Sequence, residues 1–261
     1  MKIVLIAMLV LVPGLCTAQR LLHFRNDLAF EPRTVEALAE RTYRARLQTL
    51  HADGRLDANA QLRGRLQRLV IRVAEAARFE RPESAKIEWE IHTCRRCGEN
   101  ASAMAGGKLL VGEEFIAELA PTDDELGYML AHEMGHVIAE HARESATTAR
   151  FLLGNGRNRD YEDLRNELNE SFVANLRLAP LYEQQEFEAD YIGFVLGART
   201  GFDPEAMPEM LRKLRSDGGS AFGMHPSGVE RIRRVETMLE TAHRIRSIGV
   251  PRQQELHQVK P

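Results

Sequence analysis

The sequence predicts an α+β fold that is mainly α-helical. Several stretches place apolar residues at the three- and four-residue spacing of amphipathic helices. Between them lies one short region with strand-like alternation and a Gly106-Gly107 turn. The 261 residues are 44% hydrophobic and 28% charged, a size and composition that suit one globular domain. Together these observations predict a helical protein that contains one small β-sheet.

The charge composition argues against a nucleic-acid partner. The formal net charge is -3, and no basic run is interleaved with aromatic residues. Nucleic-acid-binding domains instead concentrate Lys and Arg on one face. We therefore predict that this chain binds no nucleic acid.

The first eighteen residues have the pattern of a secretory signal peptide. Lys2 supplies a positive charge, and residues 3–12 form an apolar segment that is too short to span a bilayer comfortably. The small residues around Ala18 predict cleavage after that position. The alternative is a lipoprotein signal with Cys16 as the lipidated residue, which the bulky Leu15 before it disfavours.

A cleaved signal peptide predicts an exported protein. No later stretch is long and apolar enough to span a bilayer. We therefore expect a soluble protein, located in the periplasm if the source is a Gram-negative bacterium. The mature chain, residues 19–261, is predicted to form a single domain. Its parts are a helical N-terminal region (19–85), a core (86–248) and a polar tail (249–261).

Two helices and three strands are predicted in the N-terminal half. The helices cover residues 33–50 and 57–77, where apolar residues recur at helical spacing. Residues 86–92 alternate between apolar and polar side chains, which is typical of a half-buried strand. Further extended segments follow at residues 100–104 and 108–111. These strands are expected to form a small meander.

Cys94 and Cys97 are the two cysteines that remain after signal cleavage. There is no second CxxC pair, which excludes a four-cysteine zinc site within the chain. In an oxidising compartment, two cysteines at this spacing predict a local disulfide. The loop that it closes is short, so its entropic stabilisation is expected to be modest.

The C-terminal half is predicted to be helical. Thr122 begins a capping-box pattern that opens a helix over residues 122–145. Further helices are expected over residues 181–200 and 230–248. Residues 148–180 are a polar insertion with some helix, and they form either a lid beside a cleft or a variable surface loop.

The segment HEMGH, residues 132–136, lies within the first of these helices. Two histidines four residues apart project from the same face of a helix, one turn apart. At this spacing two neutral imidazoles can bind one Zn²⁺, and the adjacent glutamate can act on a water molecule at the metal. The pattern is the HExxH signature of zinc-dependent peptidases. We therefore predict His132 and His136 as metal ligands and Glu133 as the catalytic base. On the motif alone, the alternative is a surface helix that carries these three residues by chance.

A catalytic zinc needs a third protein ligand. His141 is disfavoured because, in a continuous helix, it points about 180° away from His132. It is predicted to be a solvated residue on the helix surface. Glu186 and Glu188 both have the right chemistry. Glu186 is favoured because Asp190 lies on the same face, one turn later, where it can accept a hydrogen bond from a ligand histidine. On these grounds alone, ordinary solvated carboxylates stay an equal alternative.

Four motifs follow one another in the C-terminal half: HEMGH, EFEAD with YIG, GFDP and HPSGVER. In this order they resemble the gluzincin family of CAAX-prenyl endopeptidases and HtpX-like peptidases, over roughly residues 86–248. The resemblance implies a zincin-like (minigluzincin) core in which a small mixed β-sheet packs on the HExxH helix. It also implies one Zn²⁺ per chain, with Glu186 as the third ligand and Asp190 supporting the ligands from behind.

The same resemblance implies a substrate-binding strand. Asn100, Ala101, Ser102 and Ala103 are similar to the edge strand that borders the cleft in this family. They are therefore expected to bind substrate. Ser102 stands where an aromatic residue is common in the family, and a CxxC motif precedes the strand. Because of these two differences, the resemblance does not define the subsite that these residues form.

His225 and Arg231 belong to the motif HPSGVER. The resemblance implies that His225 is either a switch ligand that can occupy the open zinc position or a donor to the transition state. The alternative is a histidine that merely precedes a helix. Arg231 is predicted to stabilise the oxyanion, to fix the carboxylates or to form a structural salt bridge.

These observations predict a zinc-dependent endopeptidase that hydrolyses peptide bonds through a water molecule activated by Glu133. Its substrates are expected to be polypeptides, in particular exported or misfolded envelope proteins, because exported members of the family serve outer-membrane quality control. Outer-membrane assembly components are candidate partners for the same reason. The alternative function is a non-cleaving periplasmic chaperone or adaptor that keeps the peptidase fold.

Overall fold

Helices surround a small β-sheet in the computed structural model, which describes residues 28–98, 100–154, 158–216 and 228–249. The N-terminal part contains, in chain order, α1 (Pro32–Ala52), α2 (Ala60–Glu80), a 3-10 turn (Pro82–Lys86), β1 (Glu90–Cys94), β2 (Ala101–Met104), β3 (Lys108–Gly112) and α3 (Glu113–Leu119). The C-terminal part contains α4 (Asp123–Ile138), α5 (His141–Leu152), α6 (Tyr161–Glu170), α7 (Phe172–Thr200), α8 (Ala206–Ser216), α9 (Val229–Thr237) and α10 (Leu239–Ile248). The predicted α+β, mainly helical fold is confirmed.

The sheet is mixed, with the strand order β1-β3-β2. Strand β3 is buried along its whole length, and it pairs in parallel with β1 and antiparallel with β2. The predicted meander is therefore wrong. In a meander each strand pairs antiparallel with the next in sequence, whereas here β1 pairs in parallel with β3, and β2 lies on the other side of β3. Strand β2 forms one edge of the sheet and packs beside α4.

The first strand begins later than the sequence pattern predicts. Residues 82–86 form a 3-10 turn that begins at Pro82, and sheet pairing starts only where the amide of Glu90 donates to the carbonyl of Gly107. Ile87 and Trp89 nevertheless pack against the hydrophobic core. The alternation of apolar and polar residues before position 90 therefore indicates that one face of the chain is buried. An extended segment that is not paired in a sheet can show the same pattern.

Helices α4 and α7 form the most extensive helix pair, and α2 packs against both. Tyr128 of α4 is fully buried between Phe194 and Phe202, with ring centroids 5.7 and 6.1 Å away. The two helices approach each other at backbone contact. A Cβ atom built on Gly193 of α7 would lie 2.7 Å from the backbone nitrogen of His132. A side chain at this point would force the helices apart.

The helix predicted over residues 122–145 is in fact two helices. Helix α4 ends at Ile138, and Glu140 adopts a left-handed conformation with φ of 55° before α5 begins. No glycine or proline marks this break. An ion pair of 2.9 Å between Glu140 and Arg143 bridges it, and α5 then packs against α7. A local ion pair and the packing of α5 on α7 therefore accompany a turn that the positive φ of Glu140 disfavours.

The polar insertion is largely helical. It comprises the end of α5, α6 and the first two turns of α7, which begins at Phe172 rather than at the predicted position 181. Pro180 lies inside α7 and does not end it. At the C-terminus, the single helix predicted over residues 230–248 divides at Met238 into α9 and α10.

Glu90, at the start of β1, lies in a cluster of opposite charges. Arg44 of α1 contacts both of its carboxylate oxygens at 2.5 and 2.6 Å, and Lys108 lies 3.3 Å away. The hydrogen bonds of Arg44, aided by Lys108, outweigh burial and lower the pKa of Glu90 from 4.5 to about 2. The cluster ties α1 to the edge of the sheet.

Because the folded-state pKa of Glu90 lies below the unfolded value, its carboxylate stabilises the fold above pH 4.5, and this contribution is lost as the pH falls through about 2. We expect Glu90→Gln to lower the free energy of unfolding at neutral pH by about 0.5–1 kcal/mol, since the pair is partly exposed. The difference should disappear near pH 2. Urea unfolding from pH 7 to pH 2 measures it. As a control, Arg44→Gln should raise the Glu90 midpoint in a carboxyl NMR titration; an unshifted midpoint contradicts the assignment to Arg44.

Candidate metal centre

The three predicted ligands converge between α4 and α7. His132 and His136 lie one turn apart on α4, and Glu186 faces them from α7. Nε2 of His132 and Nε2 of His136 are 3.1 Å apart. Oε2 of Glu186 lies 3.6 Å from Nε2 of His132, and Oε1 of Glu186 lies 3.4 Å from Nε2 of His136. One donor atom from each residue thus falls within 4.8 Å of the others.

These distances fit a tetrahedral metal. A Zn²⁺ ion bound to nitrogen and oxygen at about 2.0–2.1 Å separates neighbouring ligand atoms by about 3.3–3.4 Å. The two histidine nitrogens lie 3.1 Å apart, close to this value. Glu186 reaches them with different oxygens, Oε2 at 3.6 Å from His132 and Oε1 at 3.4 Å from His136, and one donor atom from each of the three residues lies within 4.8 Å of the others. Two imidazoles and one carboxylate are also a known donor set of catalytic zinc, and they leave the fourth position open. The residues present therefore fit Zn²⁺.

The local fold explains why α4 can carry this geometry. The hydroxyl of Thr122 accepts a hydrogen bond from the amide of Glu125, and the carboxylate of Glu125 accepts one from the amide of Thr122. This capping box satisfies donors that the first turn would otherwise leave unpaired. Lys213 of α8 holds the same carboxylate at 2.7 Å. The start of the metal-binding helix is therefore held from two sides.

Asp190 and Arg231 contact the predicted ligands on the side away from the metal position. Oδ1 of Asp190 lies 3.0 Å from Nδ1 of His132. Arg231 of α9 donates to both oxygens of Asp190 at 2.6 and 2.7 Å and lies 2.8 Å from Glu186. The four side chains are almost completely buried. Two of the three roles predicted for Arg231, fixing the carboxylates and forming a structural salt bridge, correspond to these contacts, and its role toward an oxyanion stays a prediction.

The charges in this group stabilise one another. Burial alone would raise the pKa of Asp190, but Arg231, with a smaller contribution from His132, lowers it to about 2. Burial likewise disfavours the charge on Arg231, yet the carboxylates of Asp190, Glu186 and Glu133 raise its pKa overall. Asp190 is therefore an anion at neutral pH and holds the proton of His132 on Nδ1, which leaves the Nε2 lone pair for a metal.

Glu133 follows His132 on α4 and is 2% exposed. Its charge interacts with that of Arg231, the residue that also holds Glu186. A carboxylate next to a ligand histidine has the chemistry of a general base.

The prediction that His141 is a solvated surface residue is wrong. His141 is 4% exposed, and its Nδ1 lies 2.7 Å from Nδ1 of His136. The cause is the helix break at Glu140, which turns the chain back toward α4. His141 is not part of the three-residue ligand cluster. Its Nε2 lies 3.4 Å from Glu188, so Glu188 contacts this histidine rather than the ligand position. No local sequence signal marks the break.

A cleft of about 240 Å³ borders the metal site. His136 and Ala103 of β2 line it, together with Val35 of α1 and Arg143 of α5. Of the four residues predicted to bind substrate, Ala103 therefore faces the cleft. Ala101 is buried in the core, Ser102 pairs with Leu110, and the carbonyl of Asn100 accepts a hydrogen bond from Gly112.

Of the remaining predicted features, the structure describes the cysteine pair. Cys94 and Cys97 form a disulfide. His225 lies outside the described residues, as do the predicted signal peptide (residues 1–18) with Cys16 and the tail beyond position 249. Their roles stay predictions.

Comparison with known proteins identifies the family. Residues 60–239 match the model of peptidase family M48. The chain belongs to peptidase family M48. The match begins at the first residue of α2 and includes both metal-bearing helices. It confirms the family that the motifs predict, and with it the zincin-like core.

Relatives of this M48 chain include mitochondrial metalloendopeptidases named OMA1. The Schizosaccharomyces pombe protein is 32% identical over 168 residues, which cover 60% of this chain and 48% of the relative. The Arabidopsis thaliana protein is 30% identical over 155 residues, 56% of this chain and 30% of the relative. The Saccharomyces cerevisiae protein is 26% identical over 171 residues, 61% and 49%. The matched region thus spans about half or less of each relative.

The predicted periplasmic location is contradicted by this comparison, because all three named relatives are mitochondrial. Envelope substrates and outer-membrane assembly partners were predicted from the role of exported members of the family, and no observation tests them. Among the residues that the structure describes, no helix is long and apolar enough to cross a membrane.

Proposed function

We propose that this M48 chain is a zinc-dependent endopeptidase that cleaves polypeptide bound in an extended conformation. The observation that carries the proposal is the convergence of donor atoms of His132, His136 and Glu186 within 4.8 Å of one another, with Glu133 next to His132 in the same helix. The names of the relatives, which are metalloendopeptidases, support the same reaction.

Each residue has a chemical task in this proposal. His132, His136 and Glu186 would hold Zn²⁺. As a Lewis acid, this ion would polarise the scissile carbonyl and lower the pKa of a water molecule. Glu133 takes a proton from the attacking water and delivers it to the leaving amine. Arg231 and Asp190 keep Glu186 and His132 in place, so that the ligands need no reorganisation.

The substrate class follows from the cleft. Strand β2 lies at the edge of the sheet, and Ala103 lines the same cleft as His136. An extended peptide can add to such an edge through main-chain hydrogen bonds, which require no particular side chains. We therefore expect unfolded or locally unfolded polypeptide to be preferred over compact folded proteins.

Metal removal tests this proposal. The purified full-length protein should contain about one zinc per chain and should degrade unfolded casein. Incubation with a zinc chelator should abolish the degradation, and one equivalent of Zn²⁺ should restore it. Inductively coupled plasma analysis and release of labelled peptide measure the two quantities.

The same assay separates the endopeptidase from the non-cleaving chaperone. A protein that contains no zinc and shows no chelator-sensitive cleavage contradicts the proposal. If such a protein still prevents aggregation of unfolded casein, the chaperone alternative is supported.

A further inference from the structure

The buried His141 and the partly buried Glu188 extend the contacts of the metal site beyond His136. We propose that His141 and Glu188 are positioning residues that orient His136 for metal binding, an inference that rests on the proposed zinc site. Nδ1 of His136 lies 2.7 Å from Nδ1 of His141, and Nε2 of His141 lies 3.4 Å from Oε2 of Glu188. Because His141 is only 4% exposed, bulk water has little access to these contacts.

A metal bound at Nε2 of His136 would fix the positions of the protons in this chain of contacts. Nε2 of His136 faces His132 and Glu186, so this nitrogen must offer its lone pair to the metal. The proton of the neutral ring then lies on Nδ1 and is donated to Nδ1 of His141. That nitrogen must be an acceptor, so His141 carries its own proton on Nε2. Glu188 accepts a hydrogen bond from this Nε2–H group and thereby selects the tautomer of His141 that can receive the hydrogen bond from His136.

The two ligand histidines are therefore held in different ways. His132 donates directly to a carboxylate, that of Asp190, at 3.0 Å. His136 reaches its carboxylate, Glu188, through an intervening imidazole. The rings of His136 and His141 meet edge to face, with centroids 4.8 Å apart and planes inclined by 74°. This arrangement restricts rotation of the His136 ring about χ2, which an exposed ligand histidine would otherwise be free to make.

The chain turn before α5 creates this contact. In a continuous helix, His141 would be rotated by about 140° from His136. The left-handed conformation of Glu140 instead brings His141 back beside α4. The backbone at this point is also held: Gln185 donates to the carbonyl of His141, and Ser145 donates to Gln185. These last contacts stabilise α5 without touching the imidazole, and they supply a control.

Zinc affinity measured by competition with a chromogenic chelator tests the proposal on the full-length protein. We expect His141→Ala to weaken zinc binding about tenfold, because His136 loses its acceptor. His141→Asn places an amide oxygen near the position of Nδ1 and should restore the affinity to within about threefold of wild type. Ser145→Ala removes a buried hydrogen bond of the same helix, so it should lower stability but leave zinc affinity unchanged.

Glu188→Ala provides an independent variant. It should weaken zinc binding because His141 can then adopt the wrong tautomer. Combined with His141→Ala, it should cause no further loss, since both changes break the same chain of contacts. Fully additive losses would overturn the proposal. Equal zinc affinity of His141→Ala and wild type would overturn it as well, as would a loss in His141→Asn as large as that in His141→Ala.

The wild-type measurement separates this inference from the proposed function. If the wild-type chain binds no zinc, both fail. If it binds one zinc tightly and His141→Ala binds equally tightly, the zinc site stands and only the positioning role fails. Circular dichroism and urea unfolding of each zinc-free variant establish that altered zinc affinity is not caused by unfolding.

Discussion

Replacement of Glu133 by Gln is expected to lower peptide hydrolysis about 10³-fold while zinc stays bound. Gln has nearly the same shape as Glu but cannot accept the proton of the attacking water. The three residues whose donor atoms converge are His132, His136 and Glu186, so the substitution leaves the ligand set intact. The turnover of a labelled unfolded peptide and the zinc content of the purified variant measure the two effects.

Glu125→Gln is the matched control for this experiment. Glu125 is also a buried glutamate of α4, but it serves the capping box and the contact with Lys213. Its replacement should lower the free energy of unfolding and leave the turnover at saturating substrate unchanged. Wild-type turnover by Glu133→Gln would show that Glu133 is not the base. Loss of zinc from this variant would instead indicate a role in holding the metal.

Gly193→Ala is expected to lower the free energy of unfolding by about 3 kcal/mol, because the new methyl group overpacks the contact between α4 and α7. It would lie 2.7 Å from the backbone nitrogen and 2.9 Å from the Cα atom of His132. Neither atom can move without moving the helix that carries the ligands. The same change should therefore weaken zinc binding, since Glu186 lies on one helix and the histidines on the other. Urea unfolding and chelator competition measure these effects.

Gly64→Ala is the matched control, since Gly64 also lies within a helix, α2. There the nearest heavy atom to an added Cβ is the end of the Arg68 side chain, at 3.6 Å. Alanine favours the helix over glycine, so we expect stability to rise by about 0.5–1 kcal/mol and zinc affinity to stay unchanged. Equal effects of the two substitutions would contradict the view that close approach of α4 and α7 sets the geometry of the site.

The close helix pair links the fold to the chemistry. Tyr128, Gly193 and Gly197 lie where α4 and α7 meet, and a Cβ atom on Gly197 would fall 2.2 Å from the Tyr128 ring. The ligands occupy the same interface. A small change in the distance between these helices would therefore change the separation between the histidine nitrogens and the Glu186 oxygens. Packing that stabilises the core also sets the spacing that a tetrahedral metal requires.

The local sequence was sufficient where a regular helix carries the information. The four-residue spacing of His132 and His136 places them on one face of any helix, and Thr122 with Glu125 marks the start of that helix. The four-residue spacing of Glu186 and Asp190 predicts in the same way that one can face the metal while the other supports a ligand. In each case the relevant geometry spans no more than about one helical turn.

The sequence alone predicted two histidines at metal-binding spacing, His132 and His136, with Glu133 between them. It also predicted a pair of carboxylates, Glu186 and Asp190, on one face of a second helix. Only the tertiary structure decided that Arg231 joins both carboxylates, that Ala103 borders the cleft, and that His141 lies against His136. The physical reason is that no glycine or proline marks the helix break at Glu140: its unfavourable positive φ is accompanied by an ion pair with Arg143 and by the packing of α5 against α7. Periodicity describes a regular helix, but it carries no information about where tertiary contacts interrupt one.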